Sequence, residues 1–177
     1  MADLRSFARL DEAELKEVDV DAGIRATAIL YVGHAERAGV GLELRLGAAE
    51  PVLCYPGQVN QLVLNLVTNA IDACQPGGRV TLTTRRVGDG LEIEVADTGH
   101  GIDPSILDRI FDPFFTTRPI GSGAGLGLAI SYGIVQRHRG RIAVESSPGA
   151  GSRFTVRLPD DGPHAPGSGT GWKKRTS

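Results

Sequence analysis

The chain has 177 residues, with 19 Lys plus Arg against 21 Asp plus Glu and a net charge of -2. That length suits one domain, and the near balance of charge excludes the broad electropositive surface a nucleic-acid or anionic-membrane partner requires. Apolar residues make up 41%, enough for a packed core and too many for wholesale disorder.

In chain order, residues 1–17 include LRSFARLDEAELKE and read as a polar helical stump, the end of a helix that continues elsewhere or packs on a partner. The acidic start lacks the basic-then-apolar pattern of a secretory signal, and no apolar run approaches the roughly 18 residues of a membrane span. Asp19 or Asp21 can cap a following helix carrying Ile24, Ala28 and Ile29. GLELRL (41–46) alternates strictly and PVLCY (51–55) is a second short strand candidate. Pro56 opens a long helix to about Gln75, ended by Pro76-Gly77-Gly78. RVTLTTRRV (79–87) and LEIEVAD (91–97), joined by Gly88-Asp89-Gly90, read as a hairpin. A short helix is expected over 103–110, an irregular stretch over 111–125, and a second long helix from about Leu126 to Arg139. RIAVESS (141–147) and SRFTVRLP (152–159) are closing strands, and the Gly, Pro, Ser and Thr that follow predict a disordered tail or linker over 159–177. This leaves 18–158 as the folded domain.

Helices mixed with hairpins favour an α+β fold, a two-layer sandwich with a mixed, mostly antiparallel sheet and helices on one face. A doubly wound parallel sheet is the alternative. Cys54 and Cys74 sit in apolar contexts that suit a reducing cytoplasm better than a structural disulfide. The four histidines share no metal-ligand spacing.

Three stretches carry chemistry. On the first long helix Val59, Leu62, Val63, Leu66, Val67 and Ala70 form the apolar stripe, while Gln61, Asn65, Asn69 and Asp72 fall in line on the other side. Asn is a poor interior helix residue, so two in line imply a polar target, although a helix considered alone allows a merely solvated face. An Asn carbonyl is a neutral hard oxygen suited to Mg²⁺ that also holds phosphates and water. LEIEVAD then delivers Asp97, followed by Thr98-Gly99-His100-Gly101-Ile102. An ionised carboxylate only accepts hydrogen bonds, so it can take the exocyclic amino group of adenine and repel the carbonyl oxygen of guanine. Gly99 and Gly101 would let backbone approach a flat base, although Asp-Thr-Gly by itself is also an ordinary turn.

The third stretch holds Gly121, Gly123, Gly125 and Gly127 just where a helix begins, a ready anion site. It is neither a Walker loop nor a dinucleotide fingerprint. Before it, FDPFFTTR (111–118) sets three phenylalanines ahead of Thr116, Thr117 and Arg118, which reads as a lid closing on ligand or as a flexible surface loop.

In order along the chain, NLVTNAIDA (65–73), DTGHGI (97–102), IFDPFFTTR (110–118) and GSGAGLGL (121–128) resemble the N, G1, F and G2 boxes of sensor histidine kinases. The likeness is greatest to the nitrogen-regulation type, within the GHKL superfamily that includes gyrase B, Hsp90 and MutL, and covers about residues 20–158. The resemblance implies a Bergerat-type site for ATP and Mg²⁺. By position Asn69 would be the Mg²⁺ ligand and Asn65 its neighbour, with Asp72 within the same box. Asp97 would bind the adenine amino group, and Gly99, Gly101 and Ile102 would shape the base pocket. Thr116, Thr117 and Arg118 would belong to the lid, Arg118 standing where this kinase type usually has Lys. Gly123, Gly125, Leu126 and Gly127 would meet the phosphates.

ATP-hydrolysing cousins carry a Glu where Asn65 stands, to activate water. Asn65 lacks that basic oxygen, so the expectation is ATP binding, slow hydrolysis and a γ-phosphoryl kept for another acceptor, with Asn65, Asn69 and Arg118 as the catalytic set. The family's acceptor histidine lies on a two-helix dimerisation domain, and none of His34, His100, His138 and His164 sits in that context. The implied partners are therefore a histidine-containing dimerisation domain and a response regulator, with no nucleic acid and no membrane contact. A non-catalytic ATP-binding module and an anti-sigma-type serine kinase are the alternatives.

Overall fold

The computed structural model describes residues 14–48, 50–117 and 125–163. Its elements in order are β1 (Lys16–Val18), α1 (Val20–Ala38), β2 (Gly41–Gly47), β3 (Val52–Cys54), α2 (Pro56–Ala73), β4 (Arg79–Val87), β5 (Gly90–Asp97), a 3-10 helix (Pro104–Arg109), α3 (Gly127–Arg137), β6 (Arg141–Ser146) and β7 (Ser152–Pro159). Five strands form one sheet in the order β2-β4-β5-β7-β6, with β2 and β4 parallel and the other pairs antiparallel. The three helices lie on one side of it: α1 packs on β2, α2 on β4 and β5, and α3 on β6 and β7. This is the expected α+β architecture. The parallel pair follows from its connection, because β2 reaches β4 through α2, a crossover long enough to return in the same direction.

Alternation decides which side of each strand faces the helices. Leu82, Val95 and Phe154 share one cross-strand row and Thr84, Ile93 and Val156 the next, all buried under α2 and its neighbours. Glu92 and Glu94 point the other way, into an outer face of alternating charges. There Glu92 pairs with Arg85 and Arg157, and Arg153 lies near Glu94. Burial pushes the Glu92 carboxyl up, but hydrogen bonds from Arg157 and Arg85 outweigh it and hold it below the usual carboxylate range.

Helix ends match their local chemistry. Asp19 caps α1 by accepting the Ala22 N–H at 3.1 Å. Gly39, at φ 66°, ends α1, and the following Val40 N–H reaches the Ala35 carbonyl at 2.9 Å. Pro56 starts α2, where a missing N–H costs nothing. Asp21, the other cap candidate, is instead buried at 1% exposure, where it accepts from Thr84 Oγ1 at 2.5 Å and the Ala48 N–H at 2.8 Å. It ties the start of α1 to the sheet.

Three expectations need correction. Within the stump expected over 1–17, Lys16–Val18 is a strand paired antiparallel with β3, and Glu14 and Leu15 are not helical. Pairing with β3 satisfies backbone groups that a frayed helix end would leave open. The expected tail also begins too early: β7 runs through Pro159, Asp160 accepts from Arg86, and Gly162 and Pro163 are buried. The short helix expected over 103–110 is present, as a 3-10 helix capped by Asp103 on the Ser105 N–H at 2.8 Å. α3 is shorter than the expected 126–139 helix, because Arg139 turns left-handed at φ 56° and Gly140 N–H closes on the Val135 carbonyl. Residues 1–13 and 164–177 of the expected stump and tail lie outside the described residues.

Candidate nucleotide site

The period-2 pattern of β5 buries Leu91, Ile93 and Val95, and the next position in that series is Asp97. A carboxylate therefore stands on the helix-facing side of the sheet at the end of a central strand, only 8% exposed. Its Oδ1 accepts the N–H of Gly99 at 2.8 Å and of Ser152 at 3.2 Å. Its Oδ2 accepts no hydrogen bond from the described residues and is not sealed from solvent. Burial pushes the Asp97 carboxyl up from the usual range, only partly countered by the Gly99 and Ser152 N–H groups. One oxygen is thus fixed by backbone and the other faces outward as an acceptor.

The loop after Asp97 is held against the end of α2. His100 N–H donates to the Ala73 carbonyl at 3.0 Å and Thr98 N–H to the Arg79 carbonyl at 3.0 Å. A Cβ on Gly99 would lie 2.4 Å from the Ala73 carbonyl oxygen. Gly101, at φ 72°, would place a Cβ 2.0 Å from the Ser147 carbonyl oxygen. These glycines admit neighbouring protein backbone at close range. Ile102 is half-buried against the core, its N–H donating to Ser146 Oγ at 2.8 Å.

The polar stripe of α2 meets the start of α3. Asn65 Oδ1 accepts from Gln61 Nε2 at 2.8 Å, and its Nδ2 donates to the Gly127 carbonyl at 3.1 Å and lies 3.4 Å from Ser131 Oγ. Asn65 thus clasps α2 to α3. One turn on, Asn69 Nδ2 would lie 3.7 Å from a Cβ placed on Gly127. Further along the line, Asp72 Oδ1 is 2.7 Å from His34 Nε2 of α1. The sequence gives no sign of that partner, 38 residues away, or of Ser152 and Ser131, which hold Asp97 and Asn65. Contacts between distant elements leave no local pattern.

Thr116 and Thr117 are exposed after the Phe111–Phe115 stretch. There Phe111 stacks at 5.5 Å on Tyr132 of α3, and the Arg109 guanidinium sits 4.6 Å over the Phe115 ring. Gly125, at φ 67°, accepts the Phe114 N–H at 3.0 Å, which ties this stretch to the start of α3. Leu126 precedes α3 and makes no side-chain cap hydrogen bond to its first turn. Arg118 and Gly123 lie outside the described residues.

Asp97, Asn69 and the start of α3 thus border the same end of α2, as a base acceptor, a neutral hard oxygen and an anion site would. Among the described residues no group of three or more His, Cys, Asp or Glu gathers to hold a metal. A divalent ion on Asn69 would then draw most of its oxygens from phosphates and water, which is how Mg²⁺ usually binds. No helix among the described residues is long and apolar enough to cross a membrane.

Residues 55–162 match the family described as histidine kinase-, DNA gyrase B- and HSP90-like ATPase, and the chain belongs to that family. It is 38% identical to the sensor histidine kinase ZraS of Klebsiella oxytoca over 155 residues, covering 85% of this chain and 33% of that protein. The catalytic domain of histidine kinase ThkA superposes with a TM-score of 0.74 at 26% identity, over 83% of this chain and 96% of that one. Full-length ShkA, in complex with AMPPNP, superposes with a TM-score of 0.74 at 30% identity, over 86% of this chain and 32% of that one. The chain spans between 15% and 34% of the length of the curated relatives it matches. Its fold is that of an ATP-binding catalytic domain of two-component histidine kinases.

Proposed function

We propose that this chain binds Mg-ATP and donates the γ-phosphoryl group to a histidine nitrogen on a separate dimerisation domain, from which it passes to a response regulator. Within the kinases we assign it to the nitrogen-regulation type, on the likeness of its four boxes, and to the cytoplasm, where ATP is supplied. The observation that carries this reading is Asp97: a buried carboxylate with one oxygen pinned by Gly99 and Ser152 and the other without a described donor. Such an acceptor suits an adenine amino group and opposes a guanine carbonyl.

In this reading Gly99, Gly101 and Ile102 shape the base pocket through the backbone they position. Asn69 holds Mg²⁺, which supplies charge neutralisation across the phosphates. Gly123, Gly125, Leu126 and Gly127 present N–H groups to the phosphates, with Thr116, Thr117 and Arg118 on the lid. Asn65 keeps α2 and α3 in register. With its amide engaged by Gln61 and Gly127, and carrying no basic oxygen, it leaves water unactivated. Catalysis then rests on positioning and charge, and the phosphoryl group awaits its acceptor.

Incubating the chain with a dimerisation domain and γ-labelled ATP tests this. Acid-labile label on histidine is expected. Acid-stable label on serine would move the chain to the anti-sigma-type kinases, and binding without any label would leave an ATP-binding module.

A further inference from the structure

The helix expected after Asp19 carries Ile24, Ala28 and Ile29, and the structure puts them in different surroundings. Ile24 is fully buried and Ala28 packs partly on the core, whereas Ile29 stands 78% exposed. Leu30 and Val32 are exposed beside it. α1 is thus apolar on its outer side as well as on the side that buries Val20, Ile24, Tyr31 and Ala35. A helix apolar all round is ordinarily covered on both sides, and a contiguous exposed apolar patch marks a contact surface. The order of residues on this face says what covers it. Arg25, Ile29, Val32 and Glu36 follow one another at spacings of four, three and four, and all four are exposed. That spacing puts them on one line, a seam of the coiled-coil kind. It has a cation at one end, an anion at the other and apolar residues between. The side chains of Arg25 and Glu36 have no ion-pair partner among the described residues.

We propose that the outer face of α1 pairs with the same face of a second copy, the two helices running antiparallel about a two-fold axis. Turned end for end, the seam complements itself. Arg25 meets the partner's Glu36 and Ile29 meets the partner's Val32, and the symmetry makes each contact twice. A parallel pairing would set Arg25 against Arg25 and Glu36 against Glu36, like charges at both ends. A purely apolar partner would leave both charges unmatched. Ala22 and Ala26 beside the seam are small and exposed, which lets the two backbones approach. α1 covers β2 at one edge of the sheet and α3 covers β6 and β7 at the other, with α2 between them. Pairing through α1 therefore leaves the start of α3 open, and the proposal stands apart from the ATP reading. Two 19-residue helices cover less than the roughly 1,200 Å² at the low end of standard interfaces. The dimer is accordingly weak, with a dissociation constant on the order of 100 µM.

Sedimentation of the full chain at concentrations from about a tenth of that constant to tenfold above it tests the pairing. The parent is expected to pass from monomer to dimer, and Ile29→Asp to stay monomeric. Arg25→Glu alone and Glu36→Arg alone should each weaken self-association by about tenfold, because each turns two attracting pairs into two repelling ones. An equal mixture of those two variants should dimerise again, since the acidic seam of one then meets the basic seam of the other. That recovery also shows that both variants are folded. The proposal is overturned by a parent that stays monomeric throughout, as it would if residues 1–13 or a different protein covered this face. It is equally overturned by dimers that survive Ile29→Asp, or by a mixture that associates no better than its components.

Discussion

His138 and Asp97 are both buried ionisable groups, and they respond to pH in opposite senses. His138 is 1% exposed, with Nδ1–H donating to the Ile134 carbonyl at 2.8 Å and Nε2 accepting the Tyr55 N–H at 3.1 Å. Both nitrogens are used only by the neutral ring, which joins the end of α3 to the start of α2. Burial holds its pKa below the ordinary 6.5, against the Ile134 hydrogen bond and helped by Arg137. The unfolded chain therefore binds a proton first as pH falls. His138 contributes its stability above about pH 6.5, the ordinary imidazole value, and loses it as pH drops towards the lower folded value. Thermal unfolding at pH 7.5 and 5.5 should show a larger drop for the parent than for His138→Gln, and equal drops would contradict the account. Asp97 carries a raised pKa, so its favourable contribution exists below the ordinary value of 3.8 and is lost as pH rises. At neutral pH the ionised carboxylate costs stability. Ligand-free Asp97→Asn, which keeps an Oδ1 acceptor for Gly99 and Ser152, should melt at or above the parent temperature at pH 7. A clear fall would show that the charge is structural.

At the scale of elements, close backbone crossings join the loops around the site. Gly101 and Gly149 share a left-handed conformation, φ 72° and 77°, but differ in surroundings. A Cβ on Gly101 would strike the Ser147 carbonyl, whereas one on Gly149 would meet nothing within 4 Å. Gly149→Ala should cost about 1 kcal/mol from conformation alone. Gly101→Ala should cost upwards of about 3 kcal/mol, or prevent folding, because strain and overlap add. Urea denaturation measures both, and similar losses would refute the crossing. This contrast was not legible in the sequence, where both residues are simply turn glycines. The long helices, the hairpin and the inward series ending at Asp97 were legible, because periods of 3.6 and 2 persist over many residues. Strand β1 and its pairing with β3 were not, since a three-residue strand carries no period, and Asp21 read equally well as a cap.

Across the whole molecule, one sheet face is apolar and helix-covered and the other is laced with charge, and the candidate site opens where the covered face ends. Asp97, Asn69 and the start of α3 come from three separate stretches that only this topology brings to one end of α2. The boxes and their order could be read along the chain. The clasp by Asn65, the Ser152 N–H on Asp97 and the His34–Asp72 pair required the assembled layers, because each joins residues far apart in sequence. The central claim is that this end of α2 holds an adenine nucleotide read by Asp97. Isothermal titration with Mg-ATP and Mg-GTP, on the parent and on Asp97→Asn, tests it most directly. The account predicts binding of Mg-ATP by the parent, at least tenfold weaker Mg-GTP binding from opposed acceptors, about 1.4 kcal/mol, and loss of Mg-ATP binding in Asp97→Asn. Equal affinity for the two nucleotides, or undiminished Mg-ATP binding by a folded Asp97→Asn, would contradict it.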